Sequence, residues 1–181
     1  MTDNVSYTAF FPSLESINQI QKAYQNDDVS ILVKALEEKN TFIFFTQEDN
    51  LTKYIMKSIN TKNINIFEYI YKYFPKNEEN ITLLFLNILK AKTNTFIVNR
   101  KYLNKKEIFF KMMETIIYDE DYDLITSQKK FNDVFRSLYM YSSDLNDFVN
   151  EIRNAFSKRI LKEKLEKDLE SSKIINTNKK I

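Results

Sequence analysis

The chain contains no glycine in 181 residues. Glycine makes up about 7% of an average protein, and it enters left-handed backbone conformations at no steric cost. Phosphate-binding loops need it, because their backbone amides must approach the phosphate closely. Turns in this chain must therefore rely on asparagine, the next most tolerant residue. We expect a fold with few tight turns and without a glycine-rich nucleotide-binding loop.

Histidine, cysteine and tryptophan are also missing. Histidine and cysteine are the usual zinc ligands, and histidine is the common proton shuttle near neutral pH. The sequence therefore predicts no catalytic residue, no metal site and no cofactor, and it favours a binding protein over an enzyme. Residues 1–4 lack the basic start of a secretory signal, and without cysteine there is no disulfide.

We therefore expect an intracellular, cytoplasmic location. Abundant asparagine, lysine and isoleucine are typical of an AT-rich genome. If that genome belongs to a virus or parasite, the location would be the host cytoplasm.

Apolar residues recur at helical spacing along nearly the whole chain. This pattern predicts an all-α fold of stacked helical hairpins with a long C-terminal helix. A single domain is expected over residues 1–170, followed by a flexible tail at residues 171–181. The apolar runs are too short to cross a bilayer, so no membrane span is expected.

Local signals place several helix boundaries. Ser13 is expected to cap the first helix. The inner face of that helix is predicted to carry Leu14, Ile17, Ile20 and Tyr24. Residues 41–46 are the one strand-like run, and the pattern alone does not separate a strand there from a buried turn. A later helix is predicted from Asn80 to about Ala91, followed by a less regular stretch.

Residues 20–36 and 55–71 resemble each other at an offset of 35 residues. Both segments are similar to the two-helix portion of ankyrin repeats, with Ile20 and Ile55 at the leucine position of the inner helix. The resemblance implies a stacked solenoid whose concave face holds a protein partner. It departs from the family in lacking the turn glycines and the Thr-Pro-Leu-His tetrapeptide.

A compact helical bundle is the alternative architecture. The number and length of the helices are similar to those of the apoptosis-regulator folds that viruses adapt, where a groove between helices holds an amphipathic partner helix. The glycine and tryptophan residues typical of that family are missing here.

Tyrosine and phenylalanine make up 14% of the chain and cluster after residue 68. Tyrosine is common at binding hot spots, because it combines a large contact area with a hydroxyl group and loses little entropy when fixed. The sequence therefore predicts a protein-binding surface that includes Tyr69, Tyr73 and Phe74. The sequence leaves the oligomeric state of the chain open.

A basic band interleaved with aromatic residues supports an alternative function. The basic residues of the band are Lys90, Lys92, Arg100, Lys101, Lys105, Lys106 and Lys111. Lysines that neutralise phosphates beside aromatic rings that stack on bases are typical of single-stranded nucleic-acid binding. This hypothesis needs exposed aromatic rings, and the helical spacing of Phe109 with Met112 and Met113 favours burial instead.

Overall fold

The computed structural model describes residues 10–98, 106–138 and 143–179, and these residues contain no strand. The helices, in chain order, are α1 (Leu14–Asn26), α2 (Val29–Leu36), α3 (Lys39–Thr46), α4 (Glu48–Asn60), α5 (Ile64–Tyr71), α6 (Glu78–Val98), α7 (Lys106–Ile117), α8 (Gln128–Leu138) and α9 (Ser143–Asn178). A short 3-10 helix, Leu124–Ser127, precedes α8. The prediction of an all-α fold with a long C-terminal helix is confirmed for this part of the chain.

The chain divides into two compact units, residues 1–75 (unit 1) and residues 76–181 (unit 2). The expected single domain over residues 1–170 stays a prediction, as does the flexible tail, although α9 continues helical to Asn178. In the described residues, no helix is long and apolar enough to cross a membrane.

Unit 1 consists of two matching helical hairpins, α1–α2 and α4–α5, joined by α3. The inner helices α1 and α4 have 13 residues each, and the outer helices α2 and α5 have eight each. Equivalent positions 35 residues apart are buried in both hairpins: Ile20 and Ile55, Ala23 and Ser58, Leu32 and Phe67, Ala35 and Ile70. The offset found in the sequence therefore holds in the structure, whereas membership of the ankyrin family stays a prediction.

The predicted inner face of α1 is correct only in its second half. Ile20 and Tyr24 are buried, but Leu14 is 74% exposed and Ile17 is exposed as well. Helix α2 has only eight residues against 13 in α1, and it packs over the end of α1 that precedes the turn. Ser13 caps α1 as predicted, because its side chain accepts a hydrogen bond from the Ser16 amide.

Residues 41–46 belong to helix α3, so the strand-like interpretation is wrong. A strand needs a neighbouring strand to satisfy its backbone, whereas a helix satisfies its backbone internally. The helix begins after Glu38, whose carboxylate accepts hydrogen bonds from the Ser13 amide at 3.0 Å and from the Thr41 hydroxyl at 3.1 Å. It buries Thr41 and Phe45.

Unit 2 packs α6, α7, α8 and the first half of α9 around a core of aromatic rings. Phe131 of α8 lies 4.3 Å from Phe85 of α6 and 5.1 Å from Phe156 of α9, between ring centroids. Helix α6 runs to Val98, so the predicted end near Ala91 is wrong. No proline or glycine lies between residues 91 and 98 to stop the helix.

Candidate protein-binding site

The turn between α1 and α2 is bonded to the start of α5. Asp27 has a left-handed backbone with φ of 49°, and its carboxylate accepts hydrogen bonds from the amides of Asn65 and Ile66, each at 3.1 Å. The side-chain amide of Asn63 donates to the Tyr24 carbonyl at 2.5 Å. The first amides of a helix have no partner within it, so Asp27 supplies the cap of α5 from the neighbouring hairpin.

Beside this junction lies an open cleft of about 620 Å³. The α1–α2 turn forms one wall and α5 forms the other. The lining residues are Asn26, Asp27, Asp28, Val29, Ser30, Asn65, Glu68, Tyr69 and Lys72. Because the hydrogen bonds of Asp27 and Asn63 join these two walls, the cleft is held in shape before any ligand binds.

The two aspartates of the cleft are engaged in capping. Asp27 caps α5, and Asp28 accepts hydrogen bonds from the amide and the hydroxyl of Ser30 at 2.9 and 2.5 Å. The side-chain hydrogen bond from Ser30 is the main cause that lowers the pKa of the Asp28 carboxyl. An incoming ligand would instead meet Glu68 and Lys72, which are exposed and carry opposite charges. The exposed side chains of the cleft are therefore of mixed charge.

Tyr69 and Tyr73 form a pair at the rim of the cleft. Their ring centroids are 5.5 Å apart with a tilt of 59° between the ring planes. Tyr73 is 46% exposed and Tyr69 is half-buried. Burial, followed by the hydrogen bond with Tyr73, raises the pKa of Tyr69 to about 12. Tyr69 therefore stays neutral at physiological pH, and the two rings present apolar area together with hydroxyl groups.

Phe74 does not belong to this exposed surface. Its side chain is only 2% exposed, so it packs inside unit 1. Tyr71 is buried in the same way and stacks on Phe67 with ring centroids 6.1 Å apart. Tyr69 and Tyr73 thus lie at the rim, whereas Phe67, Tyr71 and Phe74 belong to the core, and we remove Phe74 from the candidate surface.

Sequence reasoning missed the polar residues of the cleft. Asn65, Glu68 and Lys72 approach the α1–α2 turn only because the second hairpin packs on the first. The 35-residue offset was the one sequence signal of this packing, because it places the turn after α1 and the turn after α4 at equivalent positions. Sequence reasoning also missed that Leu14 and Phe11, near the start of unit 1, are exposed.

The basic band is only partly described, and its described aromatic rings are not exposed. Lys90 and Lys111 are exposed, whereas Lys92 lies 4.6 Å from the centroid of the Phe148 ring. Phe109 is buried, and Phe110 contacts Phe148 edge to face. Outside the described residues or side chains lie Arg100, Lys101, Lys105 and Lys106. The rings that this structure describes therefore offer no open platform for base stacking.

The acidic segment between α7 and the 3-10 helix is held by protein contacts. Asp119 accepts a hydrogen bond from the Asp121 amide at 3.0 Å and pairs with Lys76 at 3.2 Å. Among the residues with a described structure, no group of acidic side chains is arranged to hold a metal ion. Asp119 acts as a local capping residue of this segment.

The chain has no match among protein-family models, curated proteins or solved structures. We therefore infer its function from the geometry of the cleft and the tyrosine pair.

Proposed function

We propose that this chain is a non-enzymatic interaction module that binds a protein partner through the cleft and the Tyr69–Tyr73 pair. The observation that carries the proposal is a contacting pair of tyrosines, one exposed and one half-buried, beside a preformed polar cleft. Fixed aromatic rings give binding energy at a small entropic cost, because little side-chain motion is lost when the partner binds.

The repeat architecture supports a binding role. Two hairpins with equivalent burial, packed through α2 and α5, are the building pattern of solenoids that bind proteins across several repeats. An ankyrin-like stack remains the architecture we propose for unit 1. Since the chain has no cysteine, we propose a reducing, intracellular setting.

We propose no catalytic role for the carboxylates of the cleft. A general base or nucleophile needs lone pairs that can reach a substrate. The carboxylates of Asp27 and Asp28 already accept hydrogen bonds from backbone amides, so their oxygens serve the fold. The carboxylate of Glu68 is exposed, where water screens its charge.

The test is recovery of a partner from the cell or host that contains this protein, followed by direct titration with purified variants. Tyr69→Ala and Tyr73→Ala are expected to weaken binding by about 30-fold each, the loss typical of a hot spot of about 2 kcal/mol. Tyr118→Ala is the matched control, because Tyr118 is exposed to a similar extent in unit 2.

Two results would contradict the proposal. One is a partner that binds the Tyr73→Ala variant as tightly as the natural chain. The other is equal weakening by Tyr118→Ala, which would show that binding does not depend on the cleft.

Binding to nucleic acid is the alternative, and the exposed Lys90 and Lys111 are the described residues that favour it. Its signature is affinity for a random oligonucleotide that falls steeply between about 50 and 200 mM salt. Replacing Lys101, Lys105 and Lys106 by glutamine should flatten that dependence. Absence of binding at low salt removes this alternative and leaves the protein-binding proposal untouched.

A further inference from the structure

The second half of α9 carries an apolar stripe on a bare helix. Residues 164–179 are all exposed. Leu161, Leu165 and Leu169 are 59%, 55% and 62% exposed. Side chains four residues apart lie on one face of a helix, so the three leucines form a continuous row, which we call the leucine stripe.

The leucine stripe is not a continuation of the core. The first half of α9 buries Phe148, Ile152 and Phe156 in unit 2. At 3.6 residues per turn, the stripe lies on the opposite side of the helix from those residues. Upstream on the stripe's own side are Asn154 and Lys158, both polar and exposed. The face becomes apolar only where the helix leaves the body of unit 2.

The charges that flank the stripe are ordered along the helix. Lys162 and Lys164 precede Leu165, whereas Glu166 and Asp168 follow it. Within the helix, Lys162 and Glu166 approach only to 3.8 Å, and both are well exposed, so this pair contributes little to helix stability. Both charges can therefore exchange partners at little cost when another helix approaches.

We propose that the leucine stripe docks against the same stripe of a second copy of this chain, with the two helices antiparallel and centred on Leu165. Leu161 of one copy then packs on Leu169 of the other, and the two Leu165 side chains meet at the centre. Each flank brings the lysines of one copy beside the acids of the other: Lys162 beside Glu166, and Lys164 beside Asp168.

The charge order selects this direction. On each flank of the antiparallel pair, two such attractive contacts surround one repulsive contact between like residues, Glu166 with Glu166 or Lys164 with Lys164. On each flank of a parallel pair, the contacts of Lys162 with Lys164 and of Glu166 with Asp168 are repulsive, and only that of Lys164 with Glu166 is attractive. The free part of α9, from Leu161 to Asn178, is about 27 Å long. One helix face of that length buries less than the roughly 1,200 Å² of a standard interface, so the dimer should be weak and reversible, with a Kd on the order of 10 to 100 µM.

Sedimentation of the full chain between about 5 and 500 µM tests the proposal, and the natural chain should shift from monomer to dimer across that range. Leu165→Lys places two charges at the centre and should raise the dissociation constant at least tenfold. Ile174→Lys is the matched control, because Ile174 is 63% exposed on the same helix but points away from the stripe. A natural chain that stays monomeric overturns the proposal, and so does an equal effect of the two lysine variants.

The relative direction of the two α9 helices in the dimer is tested separately. The chain has no cysteine, so Ser172→Cys provides a single site for a spin label. In the antiparallel dimer the two labels are separated by at least about 20 Å along the helices, against about 10 Å side by side in a parallel one. The double variant Lys162→Glu, Lys164→Glu and the double variant Glu166→Lys, Asp168→Lys should each be monomeric alone and should pair when mixed, in either direction. Short label distances contradict the antiparallel arrangement, and no pairing of the mixture contradicts the role of the flanking charges in the dimer.

Discussion

Asp27 and Lys62 lie 35 residues apart and both have left-handed backbones, with φ of 49° and 60°. This conformation costs about 1 to 2 kcal/mol in a residue with a side chain. At Asp27 the carboxylate compensates by capping α5, whereas Lys62 is a half-exposed residue just after the end of α4.

Glycine substitution at these two positions should therefore have opposite effects. Lys62→Gly is expected to raise the free energy of unfolding by up to about 1 kcal/mol, because the strain is relieved. Asp27→Gly is expected to lower it by about 1 to 2 kcal/mol, because the amides of Asn65 and Ile66 lose their acceptor. Urea unfolding of both variants measures this, and shifts of the same sign would contradict it.

Glu38, like Asp27, has hydrogen-bond partners that are distant in sequence. Its carboxylate accepts hydrogen bonds from the Ser13 amide and hydroxyl and from the Ser16 hydroxyl. The hydrogen bond with the Ser13 side chain is the largest cause that lowers the pKa of Glu38. A lowered pKa in the folded state means that the carboxylate stabilises the fold above the ordinary glutamate pKa of about 4.3, and that this contribution is lost as pH falls below it.

The urea midpoint of Glu38→Gln should accordingly lie below that of the natural chain at pH 7 and approach it at about pH 3. Glu37→Gln removes the same charge from the exposed neighbouring residue and serves as the control, with no comparable gap expected at pH 7. A gap for Glu38→Gln that stays constant from pH 7 to pH 3 would show that ionisation of this carboxyl does not stabilise the junction of α1 and α3.

At the scale of elements, each hairpin has a small, fully buried side chain at the same position of its inner helix. Ala23 and Ser58 occupy equivalent buried positions in α1 and α4. The Ser58 hydroxyl donates to the Ile55 carbonyl of its own helix at 2.6 Å. This hydrogen bond stays within α4 and does not join the inner helix to the outer one.

Ser58→Ala should therefore change the free energy of unfolding by less than about 0.5 kcal/mol. Ser58→Leu should destabilise by about 1 to 3 kcal/mol, because a large side chain cannot enter a fully buried, closely packed position without moving its neighbours. Thermal and urea unfolding of the two variants compare these effects. A large loss with alanine would mean that the hydroxyl, and not side-chain size, is what the position requires.

At the scale of the whole molecule, the two compact units predict an independently folding N-terminal part. The cross-hairpin hydrogen bonds of Asp27 and Asn63 join residues within unit 1. A fragment of residues 1–75 should show a helical dichroism spectrum and one cooperative thermal transition, with a stability of about 3 to 5 kcal/mol. A fragment without a cooperative transition would favour the single domain over residues 1–170 that the sequence predicts.

Local pattern was sufficient for the helical class and the Ser13 cap, because periodicity and capping depend on residues within a few positions of each other. The repeat offset was visible because the same local pattern occurs twice in the sequence. The cleft was not predictable in this way. Asp27 caps a helix 38 residues later, and Glu38 bonds to residues more than 20 positions earlier. No sequence window of helical length contains both partners of such a bond.

The sequence by itself determined that this chain winds into helices, since the absence of glycine and the helical spacing of apolar residues act along the chain. Tertiary packing decided which faces those helices bury. The sequence pattern places Leu14 on the inner face of its helix and Phe74 on a binding surface, yet Leu14 is exposed and Phe74 is buried. The physical reason is that burial depends on the length and position of the neighbouring helix. Neither can be deduced from the residue itself or from the residues next to it in the sequence.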